Sequence, residues 1–187
     1  MSAPALTSIS SWMPDEIPTT AQLLNLAMLN LAKQPGAVFL GQSVAYPGWA
    51  HTSLDGVPMS QRMEMPVAEE LQMGLSTGLA LQGFLPISIY PRMDFLLRAM
   101  DALVNHLDKL EVMSRGEFRP KVIIRTRIGP KEPLHAGPQH TQDHCAAFRL
   151  MLTNVRLFYI GEKRDIMQAY TDAVASDKSV IVVEDLP

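Results

Sequence analysis

Apolar positions along the chain alternate between two spacings, and each spacing predicts an element. Leu24, Ala27, Met28 and Leu31 lie three and four apart, predicting a helix that Thr19 or Thr20 can cap and that runs to about residue 33, with Gly36 beyond its end. An apolar run then predicts a buried strand over 37–44. The stretch 45–65 keeps no period and contains Pro47, Gly48, Gly56 and Pro58, so it reads as a long loop whose length hints at function. Pro66 suits a first helical position, and that helix reaches about residue 82 before Gly83 ends it. A short strand follows over 86–90. Leu96, Met100, Leu103, Leu107 and Leu110 mark the clearest amphipathic helix, over 94–110. The remainder reads as a strand over 121–128, a Pro- and Gly-rich loop over 129–142, a helix over 144–152, a strand over 155–160, a helix over 163–176 and a strand over 179–184.

Five strands separated by helices imply an α/β fold, a mainly parallel sheet with helices on both faces. Ligands in such folds sit beyond the carboxyl ends of the strands, where the loops 45–65 and 129–142 should lie. Residues 1–18, with Pro4, Pro14 and Pro18 among serines, read as an N-terminal arm, and 19–187 as one domain. With 47% hydrophobic and 19% charged residues the chain has an ordinary soluble composition. Its net charge of −3 offers no general attraction to nucleic acid or anionic lipid. No apolar run is long enough for a membrane span, the first residues lack the order of a signal peptide, and the single Cys145 cannot form an internal disulfide. A cytoplasmic protein is expected. Twelve methionines suggest a pliable core or contact surface.

Candidate chemistry is sparse. Glu69 and Glu70 stand in a first helical turn, where the helix dipole alone would favour them as solvated side chains. Gly74 and Gly78 form a small-residue step in the same helix, at about 1 kcal/mol each relative to alanine, a cost that a close helix contact could offset. That contact is either a partner helix or an internal crossing. His135, His140, Asp143, His144 and Cys145 fall close together, but with one cysteine and two histidines on a Pro/Gly loop the spacing is poor for a closed zinc site, so no metal is expected on them.

Taken in order, several segments resemble the beta subunits of 2-oxoacid dehydrogenase first components, within the wider transketolase family of thiamine diphosphate enzymes. PVAEELQMGLSTGLALQGFLP over 66–86 is similar to the segment opening with Pro-Ile-Ala-Glu, and VFLGQSV to the Leu-Gly-Glu-Asp-Val strand end. KVIIRTRIG resembles the Val-Val-Ile-Arg-Thr strand, Gln139-His140-Thr141-Gln142 resembles Gln-His-Ser-Gln, and SVIVVED resembles the last strand of the same domain. The likeness covers roughly residues 20–185 without relying on one motif.

The resemblance implies a pyrimidine-binding domain and assigns roles by position. Glu69 is implied to hydrogen-bond the pyrimidine ring nitrogen of thiamine diphosphate. A proton shared there favours the imino form of the neighbouring amino group, which can then take up the thiazolium proton. The Pro-x-x-Glu spacing selects Glu69, and Glu70 should face elsewhere. Phe95 matches an aromatic residue that packs on the aminopyrimidine, where the pattern alone would make it core. His140 matches a histidine lining the substrate channel, with Gln139 and Gln142 as candidates to orient it. Gln42 stands near the cofactor where the family usually has glutamate, so a charge is missing there. In that family the Gly74–Gly78 helix packs at the subunit interface, which favours a partner helix.

Two further departures shape the expectation. The resembling subunits continue into a C-terminal domain beyond the position of Pro187, and 1–187 contains no Gly-Asp-Gly segment followed by the asparagine that holds magnesium and diphosphate. The expected protein is therefore the pyrimidine-side subunit of a hetero-oligomer acting on a small-molecule 2-oxo acid or ketose, with magnesium bound through a partner that carries the diphosphate-binding domain. The alternatives are a transketolase-like glycolaldehyde transfer subunit and a non-catalytic partner-binding domain of the same fold.

Overall fold

A computed structural model describes residues 17–133 and 135–186. Apart from Ile17 and Pro18, the expected arm lies outside the described residues. The elements run α1 (Thr20–Ala32), β1 (Ala37–Gly41), α2 (Trp49–Ser53), β2 (Arg62–Glu64), α3 (Glu69–Leu81), β3 (Leu85–Tyr90), α4 (Met93–Leu96), α5 (Leu110–Met113), β4 (Ile123–Arg127), α6 (Cys145–Met151), β5 (Arg156–Ile160), α7 (Ile166–Ala175) and β6 (Val180–Glu184). Between α4 and α5 the chain continues as a short 3-10 turn, Leu97–Ala99, and a π-helix, Asp101–Leu107.

The six strands form one parallel sheet in the order β2-β1-β3-β4-β6-β5. Because successive side chains of a strand point to opposite faces, the sheet sorts its apolar residues into two cores. Ile87, Ile89, Ile123, Val180 and Val182 pack under α1 and α7. Tyr90, Ile124, Ile181 and Val183 pack under Met73 of α3, the 93–107 segment and Phe148 of α6. Burial on both faces is why the central strands read as apolar runs rather than as alternations.

The expected α/β sheet with helices on both faces is present, with three local differences. The loop expected over 45–65 contains α2 and the edge strand β2. Glu64 of β2 explains how that stretch is held: its carboxylate accepts the backbone N–H groups of Ser43 (2.6 Å), Val44 (2.9 Å) and Ala45 (2.8 Å). Ser43 adopts φ 60°, a conformation that such local bonds to the backbone offset. Second, α3 begins at Glu69 rather than Pro66, because Ala68 N–H turns back to the Pro66 carbonyl at 2.8 Å before the helix opens. Third, the continuous helix expected over 94–110 widens into π geometry, with Asp108 N–H donating to the Leu103 carbonyl five residues back at 2.9 Å. At the other end of the chain, Thr19 is the cap of α1, in a reciprocal pair with Gln22.

The π segment is pinned by Asp108, whose side chain is fully enclosed beside Lys109. It accepts the backbone N–H groups of Thr153, Asn154 and Val155 at 2.8–3.1 Å. Burial alone would raise its pKa, but the Lys109 ammonium and these N–H groups outweigh burial and bring it down from 3.8 to about 2. Because the folded pKa lies below the unfolded one, this contribution is present above about pH 4 and is lost as pH falls toward 2. Its size is about 2 kcal/mol at one pKa unit per 1.4 kcal/mol. Asp108→Asn should therefore lower the unfolding free energy in urea by about that amount at neutral pH and flatten the acid limb of stability. Equal stability of the variant and the parent at neutral pH would contradict this account.

Candidate active site

Glu69 is the first residue of α3 and is 4% exposed, whereas Glu70 is exposed. The reason is periodic: Glu69, Gln72, Met73 and Ser76 form the inward stripe of the helix, and Glu70 falls one position around it. Gln72 fixes that stripe on the sheet. Its side-chain amide donates to the Ile89 carbonyl (3.0 Å), the Ser88 hydroxyl (3.1 Å) and the Leu40 carbonyl (3.4 Å), so α3 is registered against the carboxyl ends of β1 and β3. The buried Tyr90 hydroxyl donates to the Glu69 carbonyl at 3.3 Å. Burial pushes that hydroxyl far above its usual pKa, against the lowering effect of Ser88 and with a further rise from the Glu69 charge, so it stays a donor.

The carboxylate itself is under-satisfied. Oε2 of Glu69 is enclosed and has no hydrogen-bond partner; Arg98 Nε stands at 3.6 Å, an ion-pair distance too long for a hydrogen bond. Arg98 is 77% exposed, so the pair is screened and adds little. Glu69, Val67, Gly74 and Arg98 border an open cleft of about 600 Å³, whose far wall is Asp101, Ala102 and His106 of the π-helix. Asp101 and His106 pair there at 3.3 Å. Neither Arg98 nor the π-helix was legible in the sequence as part of a site.

Three residues before Arg98 in the chain, Phe95 meets His140 edge to face, with ring centroids 5.4 Å apart at 89°. Both are half-buried. The His140 backbone is drawn in by Gly129, where a Cβ would lie 1.9 Å from the His140 carbonyl oxygen, so only glycine fits there. Gln142 does not turn to His140. It donates to Asp94 Oδ1 at 2.8 Å and leaves Oδ2 of that buried aspartate without a partner. Gln139 is exposed, and Gln42 is half-buried with no hydrogen bond among the described residues. Of the histidine and cysteine cluster, His135 Nδ1 accepts from Gly137 N–H, and Cys145 is buried, its thiol pushed up to about 12 by burial and then by Asp143. Among the described residues no three such side chains are grouped to hold a metal ion, and no helix is long and apolar enough to cross a membrane.

Gly74 and Gly78 face open space, with no atom within 4 Å of a would-be Cβ on either. Val67 (77%), Leu71 (57%) and Leu81 are exposed on the same helix or just before it. Among the described residues no helix crosses α3 at these two glycines.

The buried polar core of the sheet is a feature that the sequence did not reveal. Arg125, 1% exposed, donates through Nε to Glu184 at 2.7 Å and through NH1 to Ser53 at 2.6 Å, and lies over Trp49 at 5.0 Å. Tyr170 donates to the same Glu184 at 2.6 Å. Burial alone would lower the Arg125 pKa, but Glu184 reverses that and keeps it charged. The signal was hidden because Arg125 and Glu184 are 59 residues apart, one in the middle of β4 and the other at the end of β6.

Comparison with known proteins decides the family. Residues 16–185 match the family described as transketolase, pyrimidine binding domain. The chain belongs to that family. It is 28% identical over 171 residues to a mitochondrial pyruvate dehydrogenase E1 component subunit beta from Ascaris suum, covering 89% of this chain and 46% of that one. It is 30% identical over 171 residues to the 3-methyl-2-oxobutanoate dehydrogenase subunit beta of Mycobacterium tuberculosis, covering 89% and 48%. The chain thus spans about half the length of the curated relatives it matches. Among solved structures, a split-gene transketolase described as an inactive beta4 tetramer superposes with TM-score 0.65 at 18% identity, covering 88% of this chain and 50% of that one. Transketolase from Leishmania mexicana does so with TM-score 0.68 at 14% identity, covering 92% and 26%. At these identities the likeness is one of fold, and the family is thiamine diphosphate-dependent.

Proposed function

We propose that the chain is the pyrimidine-side subunit of a split thiamine diphosphate-dependent enzyme acting on a 2-oxo acid or a ketose. In this reading a partner carrying the diphosphate-binding domain completes the site and supplies magnesium, in a hetero-oligomer. The observation that carries the proposal is the Glu69 carboxylate, enclosed at the start of α3 with an oxygen that lacks a hydrogen-bond partner beside an open cleft. An unpaired buried polar atom costs about 1–3 kcal/mol, and a protonated ring nitrogen is a group that would offset it. The residues present therefore fit an aminopyrimidine.

Bound thiamine diphosphate supplies an electron sink for cleaving a bond next to a carbonyl. The remaining steps belong to this chain. Glu69 shares a proton at the ring nitrogen, and Arg98, exposed and loosely held, yields its place beside Oε2. Phe95 presents an aromatic face, and His140, held edge-on to it, would donate a proton to the substrate's carbonyl oxygen as that carbon is attacked and take it back from the hydroxyl when a carbonyl re-forms. Gln42 adds a neutral polar contact. The open glycine face of α3, with its exposed apolar neighbours, supports a partner helix that would close the cleft and exclude water.

Calorimetry tests the split. One charge-assisted hydrogen bond and one stacking surface contribute about 1–3 kcal/mol each, whereas micromolar affinity needs about 8 kcal/mol. The chain alone should bind thiamine diphosphate with magnesium weakly or undetectably, and tightly once the subunit that co-purifies with it is added. Submicromolar binding by this chain alone, abolished by chelating magnesium, would overturn the proposal.

A further inference from the structure

Three consecutive residues of α4 hold the loop that carries His140, and they do so in reverse order. The Met93 sulfur accepts the His144 backbone N–H at 3.4 Å, Asp94 Oδ1 accepts the Gln142 side-chain amide at 2.8 Å, and Phe95 meets the His140 ring at 5.4 Å. Every second residue from 144 back to 140 is thus tied to one of three successive positions on the helix, so each contact constrains the next. The loop's own bonds do less. His140 N–H and the Thr141 hydroxyl both donate to the Gly137 carbonyl, at 3.1 and 3.2 Å, which closes a turn without fixing where the imidazole points.

Asp94 is the member of this set whose presence stability does not explain. It is 8% exposed, its Oδ1 receives a hydrogen bond from an uncharged amide, and its Oδ2 is enclosed without a partner among the described residues. The first turn of α4 favours a negative charge but supplies no donor to that oxygen. Asp108 shows what a buried aspartate kept for stability receives: the backbone N–H groups of Thr153, Asn154 and Val155 and the Lys109 ammonium. A buried carboxylate as poorly satisfied as Asp94 lowers stability instead of raising it. The pattern is that of Glu69, likewise enclosed with an oxygen that lacks a hydrogen bond. An apolar residue at 94 would remove the penalty, but it could not draw in the exposed Gln142, two residues from His140.

We propose that Asp94 is a positioning residue that, through Gln142, sets where the His140 imidazole stands beside Phe95. With Gln142 released, the loop between Gly137 and Cys145 loses its middle tie and the imidazole leaves the Phe95 ring, although no residue that would touch substrate has changed. The catalytic consequence rests on the thiamine enzyme reading; the positioning itself does not.

Histidine NMR of the full chain, without cofactor or partner, reads the position directly, so its failure is distinct from failure of that reading. With the ring carbons labelled and at about pH 8.5, where imidazoles are neutral, shifts report place and not charge. His140 is assigned among the five histidines by its loss in His140→Gln, and Phe95→Leu gives the signal of an imidazole free of the Phe95 ring. Asp94→Ala and Gln142→Ala should each move the His140 signal most of the way to that position, and the double variant no further than either single one. Asp94→Asn keeps an acceptor for Gln142 and should stay near the parent. His51, on α2, should hold its place in all of them, which separates release of the loop from loss of the fold. In the assembled enzyme Asp94→Ala should lower kcat on the order of 10- to 100-fold with thiazolium exchange near the parent's. A parent signal already at the Phe95→Leu position, a signal unmoved in folded Asp94→Ala, one that moves as far in Asp94→Asn as in Asp94→Ala, or displacements that add in the double variant would each overturn the positioning. Should Asp94→Ala fail to fold, an unmoved signal in Gln142→Ala overturns it equally, since that side chain is exposed. Full kcat in an Asp94→Ala enzyme whose His140 has moved overturns the catalytic consequence alone.

Discussion

Glu69→Gln should leave folding and subunit association intact while slowing thiazolium hydrogen–deuterium exchange in the assembled enzyme by about 100-fold or more. The fold should tolerate the change because Oε2 makes no hydrogen bond and its ion pair with Arg98 is long and exposed on one side. The proposed chemistry should not, because an amide cannot share a proton with the ring nitrogen as a carboxyl group can. Glu70→Gln is the matched control: same helix turn, same charge removed, but exposed at the rim of the cleft where Glu69 is buried. Exchange should be near normal there, and near normal too in His140→Ala, whose proposed role lies on the substrate. Unchanged exchange in Glu69→Gln would remove Glu69 from the mechanism, and loss in Glu70→Gln instead would move the assignment by one residue.

The largest expected loss of stability is at Glu184. Glu184→Leu leaves Arg125 charged, 1% exposed and without its counter-ion, at a cost of about 3–5 kcal/mol. It also orphans the Tyr170 hydroxyl, which donates to the same carboxylate. The cost belongs to the broken pair more than to the pair itself, since desolvation of both ions cancels much of their attraction. Arg125→Met combined with Glu184→Leu should therefore recover much of the stability lost in the single variant. Urea unfolding of the three proteins measures this. If the double variant is as unstable as Glu184→Leu, the penalty comes from packing and not from a stranded charge.

The sheet was legible because its central strands are buried on both faces, so β6 appears as Val-Ile-Val-Val and β4 opens on Ile123 and Ile124 directly after Val122. The edge strand β2 was not: it is three residues long, Arg-Met-Glu, and its reason for existing is Glu64 reaching back to residues 43–45. Leucine spacing marked the 93–107 segment as helical but could not reveal the π geometry, since alternate steps of three and four also fit α-helix. Glu69 illustrates the limit from the other side. Its helical turn was readable from Pro66 and the first glutamates, but its selection over Glu70 came from a family spacing, and only packing shows it on the buried stripe. Charges that meet across the fold, such as Arg125 with Glu184 or Arg92 near Arg127, leave no local pattern to read. Gln142 was aimed at His140 by adjacency in sequence and instead meets Asp94, 48 residues earlier.

The two outward glycines of α3 stand four residues apart, about one helical turn or 6 Å along the axis. In the proposed assembly a partner helix would have two nearly equivalent notches to settle in, and only one of them would bring the second half of the site opposite Glu69. Slippage between them would yield a complex of correct mass and composition that turns over nothing. Replacing one glycine by alanine would fill one notch and leave the other, so the two single variants should sort assembly into a seated and a slipped form.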